Sequence, residues 1–425
     1  MPMISSEIRV IHPPASIDAN IEVPPSKSYT NRALITAALA DGNSIIRNPS
    51  KSDDTQYLKT ALTQFGLKIL EKNEVIEITG ANGIIQPPAE ELYVGNAGTA
   101  IRFLTALSAL TKGTTHLTGD ERMKKRPMQD LLNALSVAGI ECSSHNGFPP
   151  LTIRGGKLRG GTITVNCNKS SQFLSSLLLI APYAPETMIL RTSGKIPSAP
   201  YLEMTIQTMQ AFGAVVTWPS SDIFIIDNQH KYIGTDYSIE GDASSASYFC
   251  AAAAITGGRI RITNVGHSSL QGDIKFLDIL SSMGSVVKKN TDWIEVRGNT
   301  LRGLEIDMND IPDCVPTAAV TAAFAQGRTV IKNIHHLRYK ESDRIAAVAR
   351  GLTQIGCGIE TGDDWLKIMP KRLHGANIET HNDHRIAMSF AIAGLKIDGI
   401  TIENPQCVSK SYPNFWEEIK KLEGR

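Results

Sequence analysis

The sequence predicts an α/β (α+β) fold built from six copies of one unit: helix, strand, helix, strand, strand. Three observations predict it. A helical block rich in small and apolar residues recurs at residues 33–40, 103–110, 173–181, 248–255, 317–325 and 386–395. Each block leads into a short β-type segment, such as Ser44-Ile45-Ile46-Arg47 or Arg259-Ile260-Arg261-Ile262. A second, amphipathic helix then ends at a glycine. Those glycines, Gly66, Gly139, Gly213, Gly284 and Gly356, stand 73, 74, 71 and 72 residues apart. The repeat is thus about 72 residues, and six copies account for a chain of 425.

Each element follows from its residues. The first helix of a unit is apolar or small on every face, so it is buried, and the sheets must lie outside a core of such helices. The short segments carry β-branched residues in a half-buried pattern. The second helix stops at glycine because only glycine enters the left-handed region cheaply. The sixth unit runs out of chain in its second helix, at residues 412–422.

A polar cluster precedes the buried helix at the same phase of every unit. With Lys27, Thr99, Gln172, Ser244, Cys314 and His384 as markers, the spacings are 72, 73, 72, 70 and 70. Helix N-termini present unsatisfied N–H groups and partial positive charge, which suits an anion. Simple capping explains Asp242 and Ser244. It does not explain Lys27, Arg32, Arg102 and Arg385, since cations near an N-terminus oppose the helix dipole. An anion between them would justify the placement. Arg122-Met123-Lys124-Lys125-Arg126-Pro127 and Arg338-Tyr339-Lys340-Glu341-Ser342-Asp343-Arg344 precede second helices in the same way. Taken alone, the latter also fits a solvated helix face with Glu341 and Arg344 paired at i,i+3.

Composition narrows the function. Lys plus Arg is 43 and Asp plus Glu is 42, a net charge of +1, so no global field recruits nucleic acid or an anionic membrane. The apolar stretches, such as residues 248–255, fall far short of a membrane span. The six cysteines (142, 167, 250, 314, 357 and 407) form no Cys-x-x-Cys pair and read as buried or incidental thiols of a reducing compartment. Residues 1–7 show no signal or transit pattern, so a cytoplasmic protein is expected. No phosphate loop, dinucleotide fingerprint, zinc-protease motif or nucleophile elbow occurs. His335 and His336 read as loop residues rather than metal ligands. What remains is Lys, Arg, Ser and a few carboxylates. That chemistry suits small phosphate- and carboxylate-bearing substrates, with proton transfer by Asp or Glu and no cofactor or metal.

The motifs, in chain order, are Ser26-Lys27-Ser28 with Asn31-Arg32, Gly95-Asn96-Ala97-Gly98-Thr99 with Arg102, and Arg122 to Pro127. They continue with Ser170-Ser171-Gln172-Phe173, Gly241-Asp242-Ala243-Ser244-Ser245-Ala246, Lys340-Glu341-Ser342-Asp343-Arg344 and Asn382-Asp383-His384-Arg385. As a set, spanning the whole chain, they resemble the 5-enolpyruvylshikimate-3-phosphate (EPSP) synthase (3-phosphoshikimate 1-carboxyvinyltransferase) branch of the enolpyruvyl transferase family. The resemblance implies a two-domain inside-out α/β barrel of six βαβαββ repeats, closing on substrate at an active site in the interdomain cleft. Residues 1–24 with 241–425 would form one domain and residues 25–240 the other.

The implied reaction moves the enolpyruvyl group of phosphoenolpyruvate to the 5-hydroxyl of shikimate 3-phosphate. The implied catalytic residues are Asp313, which takes the hydroxyl proton, and Glu341 with Lys27, which serve the methyl carbon. Phosphoenolpyruvate would be held by Lys27, Gly98, Arg126, Gln172, Arg344, Arg385 and Lys410, where the inhibitor glyphosate would also bind. Shikimate 3-phosphate would be held by Lys27, Ser28, Arg32, Ser170, Ser171, Gln172, Ser198, Tyr201, Asp313, His336 and Lys340. No cofactor is implied, nor any nucleic-acid or membrane partner, and the chain would act as a monomer. Three positions depart from the family pattern: Pro25 replaces the usual Gly, Ala199 a frequent Lys, and His336 a common substrate-contacting Asn. An imidazole nitrogen can still donate there.

The alternative acceptor is a UDP-amino sugar, as in UDP-N-acetylglucosamine enolpyruvyl transferase. That sister enzyme places a Cys in a loop of its N-terminal half, and no Cys lies between Asp120 and Asp130. A non-catalytic six-unit scaffold would have no need of Asp313 and Glu341 among the cations.

Overall fold

The structure, a computed structural model, describes residues 7–424. The chain divides into two compact units: residues up to Pro24 together with Gly241 onward, and Pro25–Glu240.

In the unit Pro25–Glu240 the helices are α1 (Lys27–Leu39), α2 (Asp53–Gln64), α3 (Gly98–Leu107), α4 (Gln129–Val137), α5 (Gln172–Ile180) and α6 (Pro200–Ala211). In the other unit they are α7 (Ala243–Thr256), α8 (Phe276–Met283), α9 (Val315–Ala322), α10 (Arg344–Gln354), α11 (His384–Gly394) and α12 (Phe415–Glu423). The first helices of the repeats form the cores, as their all-apolar faces require. α1, α3 and α5 contact one another, as do α7, α9 and α11. Every residue of α7 except its last is buried.

Each repeat builds one sheet. In the second, Leu92–Tyr93 enters α3, runs parallel to Thr114–Thr118, and that strand pairs antiparallel with Phe148–Arg154, which hairpins with Glu141–His145. The pattern strand, helix, strand, helix, hairpin is βαβαββ. Two opening strands are exchanged along the chain. Asp236–Ser238 pairs with Asn43–Arg47 of the first repeat, and Asp18–Ile21 pairs with Arg259–Ile262 of the fourth.

The five repeat glycines all take positive φ, from 87° to 118°. The residue after each closes the terminating loop: Leu67 N–H bonds Leu62 O at 3.3 Å, Ile140 bonds Leu135 at 3.0 Å, and Cys357 bonds Leu352 at 2.9 Å. The sixth repeat, which runs out of chain, is completed from the other end of the sequence. Ile8–Val10 pairs antiparallel with Thr401–Glu403 and takes the place of a hairpin strand, giving a three-stranded sheet. Among the described residues no helix is long and apolar enough to cross a membrane.

The cysteines are all unpaired; five are buried and Cys142 is half-buried. Burial pushes the Cys167 and Cys250 thiols up to about 12, which removes them as nucleophiles.

Candidate active site

In the unit Pro25–Glu240, Ser26 caps α1 by accepting from Tyr29 N–H at 3.4 Å. Lys27 is therefore the first helical residue. Its ammonium meets Asp54 Oδ2 at 2.9 Å, in the first turn of α2. Asp54 is buried and Lys27 nearly so, which fixes the ammonium. Sequence reasoning missed Asp54. An acid in a first turn is ordinary helix-dipole compensation, so its position carries no distinguishing signal.

Arg32 is 1% exposed and draws two other expected residues together. Its Nη1 donates to Ser28 O at 2.9 Å, its Nη2 to Tyr201 O at 3.0 Å and its Nε to Thr205 Oγ1 at 2.8 Å. The guanidinium lies over the rings of Phe103 and Tyr201. Burial pulls its pKa down to about 10. Ser198 is buried at φ 58°, in the left-handed region. Ser170 Oγ accepts from Gln172 N–H at 3.2 Å, and Ser171 is buried beside it. Gln172 is oriented from both ends of its amide: Arg102 Nη1 donates to Oε1 at 2.7 Å, and Nε2 donates to Thr99 Oγ1 at 3.0 Å.

Gly98 sits against Arg126, which donates to Asn96 O and Oδ1 at 3.2 Å. A Cβ at Gly98 would lie 2.5 Å from Arg126 Cζ, so any larger residue must push the guanidinium from its place.

In the other unit, Asp313 lies in a 3-10 turn before α9. Arg344 Nη1 donates to its Oδ1 at 2.9 Å and Arg385 Nη2 to its Oδ2 at 2.6 Å. Lys340 Nζ lies 3.8 Å from Oδ1. Burial raises the Asp313 pKa, but Arg385, Lys340 and Arg344 outweigh it and hold the carboxyl far below the usual range. Glu341 Oε2 accepts from Arg344 Nη2 at 2.7 Å, and Lys410 Nζ lies 3.9 Å from Oε1. The i,i+3 pair Glu341–Arg344 thus exists, but not on a solvated face: the Arg344 side chain is 1% exposed and that of Glu341 9%.

Arg344 also donates to Asp383 Oδ2 at 2.9 Å. Asp383 caps α11, accepting from Arg385 N–H at 3.0 Å, and accepts from Ser342 Oγ. Burial disfavours the Arg344 charge, yet Asp383, Glu341 and Asp313 together raise its pKa. Arg385 Nη1 donates to the Tyr248 hydroxyl at 3.2 Å. Ser244 donates to Asp273, which burial and Asp313 push up to about 6.

The histidine pair lies in the 3-10 turn His335–Tyr339, and His336 is buried there, 5% exposed. Burial and Lys340 push its pKa down to about 3, so the imidazole is neutral. Its Nε2 has no hydrogen-bond partner among the described residues.

Each unit therefore concentrates cations at helix N-termini, and one of them frames two carboxylates around a shared guanidinium. With five four-stranded βαβαββ repeats and a sixth, three-stranded one, this defines an enolpyruvyl transferase. The family model described as EPSP synthase (3-phosphoshikimate 1-carboxyvinyltransferase) matches residues 11–419, and the chain belongs to that family. It is 42% identical over 414 residues to the 3-phosphoshikimate 1-carboxyvinyltransferase of Trichormus variabilis, covering 96% of this chain and 97% of the relative. It is 41% identical over 421 residues to that of a Shewanella species, covering 97% and 99%. Among solved structures, EPSP synthase from Acinetobacter baumannii superposes with a TM-score of 0.82 at 29% identity over 98% of both chains. The enolpyruvyl transferase NikO from Streptomyces tendae, at TM-score 0.78 and 18% identity over 98% of both chains, shares the fold.

Proposed function

We propose that Asp313, Glu341 and Lys27 perform the proton transfers of the family reaction, the two carboxylates held by the arginines around them and Lys27 by Asp54. The chain transfers the enolpyruvyl group of phosphoenolpyruvate to shikimate 3-phosphate and releases phosphate. The family match and the relatives' names do not favour the UDP-amino-sugar acceptor.

Protonation of the methylene carbon leaves cationic character at C2 of the enolpyruvyl group. The 5-hydroxyl attacks that carbon, and Asp313 takes its proton. Glu341 and Lys27 deliver and remove the proton at the methyl carbon, and the tetrahedral intermediate then loses phosphate. Asp313 suits the base role because the surrounding cations keep it ionised. Arg344 and Arg385 also restrain its basicity. An anion that draws either guanidinium away raises that basicity when the site is loaded.

Phosphoenolpyruvate is assigned to Lys27, Gly98, Arg126, Gln172, Arg344, Arg385 and Lys410. The arginines match carboxylate and phosphate with a planar fork. Shikimate 3-phosphate is assigned to Lys27, Ser28, Arg32, Ser170, Ser171, Gln172, Ser198, Tyr201, Asp313, His336 and Lys340. The carrying observation is the Arg344 guanidinium shared between Asp313 at 2.9 Å and Glu341 at 2.7 Å. Two candidate acid–base groups thus flank one anion-binding cation.

The chain is assigned to the cytoplasm on its six unpaired thiols. It is assigned as a monomer, since one chain supplies every residue named, and light scattering of the eluted protein tests this. The activity is tested by phosphate release from phosphoenolpyruvate, which should require shikimate 3-phosphate. Release driven equally by a UDP-amino sugar would overturn the acceptor assignment.

A further inference from the structure

We propose that Tyr248 is a positioning residue for Arg385, fixing the guanidinium that receives phosphoenolpyruvate. This rests on the reading of Arg385 as a ligand of that substrate.

Tyr248 is the sixth residue of α7, whose sequence from Ala243 is Ala-Ser-Ser-Ala-Ser-Tyr-Phe-Cys-Ala-Ala-Ala-Ala-Ile-Thr. The ring is fully buried and meets Phe415 edge to face, with centroids 6.0 Å apart. Packing alone does not call for a phenol: Phe249, next in the same helix, is just as buried and packs on the same Phe415 ring. The hydroxyl is therefore a buried polar atom that needs its own justification. Its partner is Arg385 Nη1 at 3.2 Å.

The bond matters because of where Arg385 stands. The arginine is the second residue of α11 and is 6% exposed. Its backbone is pinned by Asp383, and its Nη2 is drawn to Asp313 Oδ2 at 2.6 Å. The Asp313 contact fixes one terminal nitrogen. Tyr248 fixes the other, from a different helix. Anchors from α7 and from the turn before α9 together set the plane of the fork. Burial raises the Tyr248 pKa, so the phenol stays neutral and keeps a lone pair for the cation.

When an anion competes for Nη2, the Tyr248 bond is the one that persists, because a neutral hydroxyl is not displaced by charge repulsion. Arg385 then pivots about Nη1 rather than leaving its place. Tyr248 acts through Arg385, so its loss should affect the substrate that Arg385 holds and spare the other.

The test is a double-mutant cycle on the full chain with Tyr248→Phe, Arg385→Lys and the pair. KM is measured separately for phosphoenolpyruvate and shikimate 3-phosphate, with kcat and thermal midpoint. Tyr248→Phe should raise the phosphoenolpyruvate KM about fivefold or more and leave the shikimate 3-phosphate KM within about twofold. In the Arg385→Lys background the same change should have no further effect, because a lysine has no second terminal nitrogen to anchor. A phosphoenolpyruvate KM within about twofold of wild type would overturn the proposal. So would a matched rise in both KM values, or an effect of Tyr248→Phe that is undiminished in the Arg385→Lys background. If Arg385→Lys itself leaves the phosphoenolpyruvate KM unmoved, the ligand reading of Arg385 fails, which is a separate result.

Discussion

Asp54 Oδ2 lies 2.9 Å from Lys27 Nζ, and the two side chains are 3% and 13% exposed. The cation at the head of α1 is thereby held by an acid at the head of α2. Removing the acid leaves an ammonium largely out of water with its charge uncompensated. Asp54→Ala should destabilise the protein by about 3 kcal/mol, the lower end for a broken buried pair because Lys27 keeps some solvent. Urea unfolding checks this, and a loss under about 1 kcal/mol, the range of an exposed pair, would show that the pair is not holding Lys27. Asp54→Asn, which keeps the shape but also removes the compensating charge, should lose much of the same stability and lower turnover.

Gly98→Ala drives a methyl onto the Arg126 guanidinium, with Cζ 2.5 Å from the new atom. Overpacking of this kind costs about 1–3 kcal/mol. Arg126 must swing from its place against Asn96. The phosphoenolpyruvate KM should rise at least tenfold, while the affinity for shikimate 3-phosphate, measured by calorimetry, stays near wild type. Equal weakening of both ligands would contradict the assignment of Gly98 and Arg126 to phosphoenolpyruvate.

His336 gives a pH dependence of stability. Its folded pKa of about 3 lies below the ordinary imidazole value of 6.5, because burial and Lys340 disfavour the charge. Between those values the unfolded chain binds a proton that the folded one does not. The contribution is therefore complete above about pH 6.5 and is lost as pH falls toward 3, by up to ~1.4 kcal/mol per pH unit. Asp273, raised to about 6, changes in the opposite sense between about 4 and 6. The comparison of wild type with His336→Asn removes that contribution, since both proteins carry Asp273. The advantage of His336→Asn should grow as pH falls from 6.5 to 4.5. A difference independent of pH would show that His336 is not buried neutral.

Much of the architecture was legible because its signals are local. A glycine that must take positive φ marks the end of a second helix, and five of them at even spacing reveal the repeat. The completion of the sixth sheet by Ile8–Val10 was not legible. Three residues carry too little pattern to announce a partner almost 400 positions away. Lys27, Arg32 and Arg385 were visible because cations near helix N-termini oppose the dipole and so need a reason. Asp54 and Tyr248 were not, because each is ordinary where it stands: an acid in a first turn, an aromatic in an apolar helix. Asp383 stood out within Asn382-Asp383-His384-Arg385, but as an Asp at an N-cap it gave no sign of its bond to Arg344. Only the folded chain shows that these three hold Lys27, Arg385 and Arg344. The histidine pair was legible as a turn, but the burial of His336 within that turn was not, because a short polar segment carries no pattern that marks one of its side chains as buried.

The central claim is that Asp313 and Glu341 move protons rather than merely balance Arg344. Saturated turnover of Asp313→Asn and Glu341→Gln tests it most directly, with calorimetric binding of shikimate 3-phosphate measured on the same preparations. Both amides keep shape and can still contact the site. Each should therefore bind shikimate 3-phosphate near the wild-type affinity and lose turnover by ~10²-fold or more. A variant that binds weakly yet turns over at near wild-type rate when saturated would contradict the claim and reduce that carboxylate to a partner of the arginines.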